Sequence, residues 1–242
     1  MTIDQVVALM ASIGACMSAI AAFLTVRQIS KQREASYRPE FVVSRTEFNA
    51  ISNSSDKKLI PDTWILKNDE QEINLLKTFS VPLRNVGLGS AKNVNVEWSF
   101  PIETLTKNVN ELAQKALIPA YFTYENQVLE LKSDNVGSSA SMWKNQQKHR
   151  IDFVLPSSID QIPVTLILPH SYIQLVSALI YFAAKGNNYS FLEKIPKLTI
   201  DLNYLDIGGK QHYSRFFIEI NIHMIANDGE KFSGYIEGIN HV

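Results

Sequence analysis

The residue types that most often carry chemistry are thinly scattered along this chain. Five histidines, His149, His170, His212, His223 and His241, share no H-x-x-x-H or comparable ligand spacing. The single cysteine, Cys16, lies in an apolar run, so an intrachain disulfide or a Cys-rich zinc module is impossible. Asp201, Asp206 and Asp228 cluster late in the sequence, and paired carboxylates can do acid–base work. Asp206, however, precedes Ile-Gly-Gly and reads as a turn residue, and Asp228-Gly229-Glu230 lacks the other ligands of a calcium loop. The glycines of Asn85-Val86-Gly87-Leu88-Gly89 suggest a phosphate cradle, but a cradle needs a helix directly after it, and Lys92 to Phe100 (KNVNVEWSF) reads as a strand. No G-x-x-x-x-G-K-[ST], no G-x-S-x-G and no nucleophile–base pair appears. The sequence predicts no catalytic residue, no metal and no cofactor, and therefore no enzyme.

Recognition is the other kind of chemistry to look for. Tyr121, Phe122, Tyr124, Trp143, Tyr172, Tyr181 and Tyr189 either line a ligand pocket with Lys144, Lys148 and Arg150 or fill a core, and the core is the simpler expectation. Ser133 to Lys148 (SDNVGSSASMWKNQQK) reads as a long polar loop holding a tryptophan. Trp143, Lys144, Lys148 and Arg150 are thus the candidate ligand- or partner-binding residues.

The strongest signal is a helix. From Val6 to Val26 there is no charged residue, and at 1.5 Å per residue that run spans about 30 Å, the thickness of a bilayer core. A secretory signal has basic residues before its apolar run, whereas here MTIDQ carries an acid and the basic residues Arg27, Lys31, Arg33 and Arg38 follow. The run therefore reads as an uncleaved anchor. Excess positive charge after the span puts the leading end outside and the rest of the chain in the cytoplasm.

Within the anchor, Asp4, Ala8, Ala11, Ala15, Ser18, Ala22 and Thr25 advance by alternating steps of four and three. That spacing is the seam of a left-handed bundle, and small residues let helix backbones approach closely. With one span per chain, the natural partner is a copy of the same helix. A ring of copies would face Ser18 and Thr25 inward, with Asp4 forming an acidic mouth that favours cations. An alanine-rich anchor that merely dimerises, or stays alone, fits the same pattern. After Val26 the helix continues as a basic neck to Arg38, where Pro39 stops it.

The remainder frames these residues. A net charge of -1 argues against binding duplex nucleic acid. An apolar fraction of 45% against 19% charged residues suits a folded body. Residues 1–38 form the span and neck, and residues 39–242 a mainly-β domain. Strands are expected at Phe41 to Phe48, Ile73 to Arg84 (with Pro82 marking an edge or bulge), Lys92 to Phe100, Tyr121 to Leu131, Arg150 to Leu155 and Val164 to Leu168. A hairpin turns at Gly208-Gly209 inside Lys197 to Ile225, and a short strand follows at Phe232 to Ile236. Ala50 to Asp62 reads as an exposed loop. Many short strands between turns predict an antiparallel β-sandwich with two inserted helices. One, Glu103 to Ala116, carries a stripe of Leu105, Val109, Leu112 and Ala116. The other, Ser171 to Lys185, is apolar enough to pack on the sandwich, touch the membrane or, with Ile162 to His170, span it.

The span, the neck ending in YRPEF, LRNVGLGSAKNVNVEW and LTIDLNYLDIGGKQHYSRFFIEI together resemble bacterial single-pass membrane proteins with a cytoplasmic immunoglobulin-like sandwich. Hailong-type membrane effectors of antiphage defence are the instance. The resemblance covers most of the chain but rests on turn patterns. It implies a bacterial inner-membrane location, a membrane-disrupting or channel role, and control by a regulatory protein or a nucleotide-type ligand.

Overall fold

The computed structural model describes residues 3–52, 60–67, 78–133, 138–226 and 229–240. It begins with one helix, α1 (Ile3–Ser36). Its 34 residues give a rod of about 51 Å. Among the described residues it is the one helix long and apolar enough to cross a membrane, and none of its apolar window is buried.

A mainly-β domain follows. The expected strand Phe41 to Phe48 divides into β1 (Phe41–Val43) and β2 (Thr46–Ile51), which join different sheets. After them come β3 (Thr63–Leu66), β4 (Ser80–Asn85) and β5 (Ala91–Ser99). The expected loop at Ala50 to Asp62 and strand start at Ile73 fall largely on residues 53–59 and 73–77, outside the described residues.

The helix α2 (Ile102–Lys115) buries Leu105, Val109 and Leu112 as its stripe predicts. Tyr121 to Leu131 proves to be a hairpin, β6 (Tyr121–Glu125) and β7 (Val128–Lys132). Its turn residues Asn126 and Gln127 both have positive φ, as a tight hairpin turn requires. Beyond it lie β8 (Ser139–Met142), the one-turn helix α3 (Trp143–Gln146), β9 (Lys148–Val154), β10 (Val164–Ile167) and α4 (His170–Lys185). A short 3-10 helix (Tyr189–Lys194) leads into β11 (Leu198–Asp206), β12 (Gln211–Ala226) and β13 (Lys231–Asn240), the last longer than the sequence suggests.

The strands form three antiparallel sheets, ordered β1-β4-β10, β3-β2-β13-β12-β11-β5-β9 and β6-β7-β8. The first packs over the second as a sandwich. Val43 of β1 sits so close to Gly238 of β13 that a Cβ there would collide with it. Alternation is clean where the sequence predicts it: Val94, Val96 and Trp98 on β5 and Leu198, Ile200, Leu202 and Tyr204 on β11 all point into the core.

Pro82 is not at an edge, since β4 is the middle strand of its sheet. A strand residue's N–H and C=O share one side, and the Pro82 carbonyl accepts from the Ser44 N–H at 3.0 Å. The missing N–H therefore faces Ser44 just past the end of β1, and the Ser44 carbonyl accepts instead from the Thr46 hydroxyl at 3.2 Å.

The ambiguous apolar helix is the core itself. Every residue of α4 from Ser171 to Ala184 is buried, which explains why it is apolar on all sides. Most of its polar groups have partners inside: the Trp64 indole donates to the Ser177 hydroxyl at 2.9 Å, Ser141 and Ser171 share a bond of 2.8 Å, and the Gln146 side-chain Oε1 accepts the Ser171 N–H at 3.0 Å, while the buried Gln174 Oε1 accepts no bond from the described residues.

Candidate functional site at the helix root

On α1 the seam residues Asp4, Ala8, Ala11, Ala15, Ser18, Ala22 and Thr25 are all exposed in the single chain, as are Arg27, Lys31, Arg33 and Arg38. Large apolar side chains beside them are bare too, with Met17 66% and Phe23 67% exposed. The Thr25 hydroxyl donates to the Ala21 carbonyl at 2.9 Å, so it is satisfied within its own helix.

At its C-terminal end α1 is clamped to the sandwich. The chain from Tyr37 to Phe41 runs against the Val86-Gly87-Leu88-Gly89 turn, which a strand (β5) follows, as expected for a turn and not for a phosphate cradle. A Cβ on Gly87 would stand 2.6 Å from the Glu40 nitrogen, and one on Gly89 2.7 Å from the Tyr37 carbonyl carbon. Only glycine admits that approach.

Asn85, 1% exposed, stitches the two segments together. Its Oδ1 accepts the N–H groups of Glu40 and Gly87, each at 3.1 Å, and its Nδ2 donates to the Gly89 carbonyl at 2.7 Å. The Val86 N–H adds a backbone bond of 2.7 Å to the Glu40 carbonyl.

On the other flank Phe41 meets Tyr204 edge-on, Tyr204 stacks on His212, and His212 Nε2 lies 2.8 Å from Asp206 Oδ2. Burial raises the Asp206 pKa, but His212 and the N–H groups of Lys210 and Gly208 outweigh it and hold the carboxyl below its ordinary value. Asp206 is also the turn residue read from the sequence, and Gly209 supplies the left-handed backbone that turn needs (φ 85°). An open, polar cavity of about 460 Å³ lies at this root, bordered by Arg38, Glu40, Tyr204, Ser214 and Asn240.

The expected long polar loop is largely regular structure where it is described. Residues 134–137 lie outside the described residues, and most of the rest of Ser133 to Lys148 is β8 and α3, with Lys148 opening β9. The sequence misleads because Ser-Ala-Ser-Met lacks strand-forming residues, although Ser141 is buried as a hydrogen-bonding member of the core. Trp143 is buried edge-on to Phe100. Lys144 is exposed, Lys148 pairs with Glu97 at 2.9 Å, and Arg150 reaches Asn93 and Asp152. These four residues make no common site.

Lys148 and His149 instead border a cavity of about 410 Å³ with Gln146, Leu168 and His170. Burial pushes the His149 imidazole below its ordinary value. Of the seven aromatics weighed for a pocket, Phe122, Trp143, Tyr172 and Tyr181 are buried in the core, Tyr124 packs partly buried against it, and Tyr121 and Tyr189 stand about half exposed elsewhere.

His149 and His170 border that cavity of about 410 Å³, and the other histidines stay apart: His212 pairs with Asp206, His223 faces the Ser233 hydroxyl at 3.3 Å, and His241 lies outside the described residues. Among the described residues no group of His, Cys, Asp and Glu could hold a metal ion. Comparison with protein-family models, curated proteins and solved structures finds no match to this chain.

Proposed function

We propose that this chain is a non-catalytic, single-pass membrane effector. In this reading α1 crosses the bacterial inner membrane with Asp4 outside and the sandwich in the cytoplasm. Copies of α1 associate along the Asp4–Thr25 seam. A regulatory protein or nucleotide-type ligand on the sandwich then opens a narrow, cation-favouring bundle, as an antiphage effector would.

The observation that carries this is α1 itself: an apolar rod with no buried residue in its membrane-length window, a small-residue seam on one side, and a tight backbone clamp to a folded domain. Lipid satisfies the apolar side chains, and a copy satisfies the seam. The clamp at Gly87 and Gly89 lets rotation of the sandwich reach the helix without slack.

A second reading, a tethered binding module that conducts nothing, draws on the Thr25 hydroxyl, which has no need of water once bonded to Ala21. Cation flux from proteoliposomes holding the purified chain separates the two. The effector reading expects flux, and a drop of about tenfold or more for Ser18→Leu with the sandwich still folded. Equal flux from Ser18→Leu removes the proposed lining. No flux from the parent, with ligand candidates from cell extract added, leaves the tether.

A further inference from the structure

Among the described residues of the sandwich, seven large apolar side chains are at least 56% exposed: Leu88, Leu117, Met142, Phe153, Ile159, Ile162 and Ile207. Strand register puts five of them at the end from which α1 leaves. Leu88 lies between the two clamp glycines. Asn85, at the end of β4, bridges Pro156, so Ile159 follows on the neighbouring turn, and Phe153, near the end of β9, pairs with Lys92 at the start of β5. Ile162 precedes Val164, which pairs with Leu83 of β4. Ile207 accepts a bond from Lys92 at the start of β5. The acids nearby are engaged locally: Asp160 accepts the Ile162 N–H and Asp206 holds His212. Apolar side chains this exposed mark a contact surface when they gather at one place.

Two magnitudes choose what covers it. The uncharged run of α1 ends at Val26, and helical neck continues to Ser36, which lifts the sandwich about 15 Å above the hydrocarbon. Head groups extend only about 5–7 Å, so an upright neck holds these loops beyond lipid. Helices that pack lie about 8–10 Å apart. A seven-stranded sheet is about 29 Å wide, so bundled α1 helices force neighbouring sandwiches together at their helix roots.

We infer that the apolar loop face carrying Leu88, Ile159, Ile162 and Ile207 is a second interface between copies of this chain, closing the assembly just above the membrane. It rests on the self-association of α1 proposed above.

Short bismaleimide cross-linking of the full chain in membranes tests it on a Cys16→Ser background. Ala15→Cys reports the helices, Ile162→Cys the loop face, and Leu117→Cys the far end beside α2. The inference expects cross-linked species from Ala15→Cys and Ile162→Cys and none from Leu117→Cys. Cross-linking at Ala15→Cys without any at Ile162→Cys overturns the loop interface and leaves helix association standing. No cross-linking at Ala15→Cys overturns both. Quenching of a fluorophore on Ile162→Cys by lipid-borne nitroxides assigns the face to the membrane and overturns the inference too. Leu88→Glu with Ile162→Glu is expected to weaken the assembly about tenfold on dilution.

Discussion

Gly89 has no room for a β-carbon, because the Tyr37 carbonyl occupies the space. Gly89→Ala should therefore cost about 3 kcal/mol in denaturant melts of the full chain, by forcing the clamp apart. Gly208→Ala, whose nearest neighbour is the Asp206 carboxylate at 3.3 Å, should change stability by under about 0.5 kcal/mol. Asn85→Ala should cost about 3 kcal/mol, since it strands the Glu40 and Gly87 N–H groups and the Gly89 carbonyl. His149 gives a pH signature. Its folded pKa is depressed, so the unfolded chain takes the proton first. Stability is whole above about pH 6.5 and falls as pH drops through the range beneath. His149→Gln should flatten that slope, and parallel slopes would show that His149 does not set it. None of the clamp was legible in the sequence. NVGLGS announces a turn, but the segment it grips lies about 45 residues earlier, and spacing along the chain carries no trace of that contact.

At the scale of elements, α4 is the keystone of the core. Leu179→Ala should lose about 2–5 kcal/mol, because a side chain that is 0% exposed leaves a cavity its packed neighbours cannot close. Trp64→Phe should cost about 1 kcal/mol through the lost bond to Ser177, with the stack on Phe48 kept. Strands with a buried and a solvated face were plainly legible: β5 and β11 alternate with period two and need no other cue. The failures have physical reasons. The break between β1 and β2 sits in a run of β-formers with no Gly or Pro to announce it. α4 reads as either a core helix or a span, because both environments demand the same apolar surface, and only burial separates them. Trp143 reads both as a core aromatic and as a loop recognition residue, because its neighbours are polar; it is buried, and of those neighbours Ser141 and Gln146 bond within the fold.

For the whole molecule, a sandwich with its own continuous core carries a rod that shares none of that core. The two are joined at a glycine-lined seam that grips the Tyr37–Phe41 segment. The long apolar helix and the spacing of its small residues were legible, because both depend on one helix and its 3.6-residue period. The apolar loops at the helix root were not, since only the fold gathers them there. The central claim is that α1 prefers copies of itself to lipid. Native mass spectrometry of the full chain released from lipid nanodiscs tests it most directly: the account predicts a mass at a fixed multiple of 27.3 kDa that shifts toward the single chain in Ser18→Leu, whereas 27.3 kDa alone for the parent would contradict it.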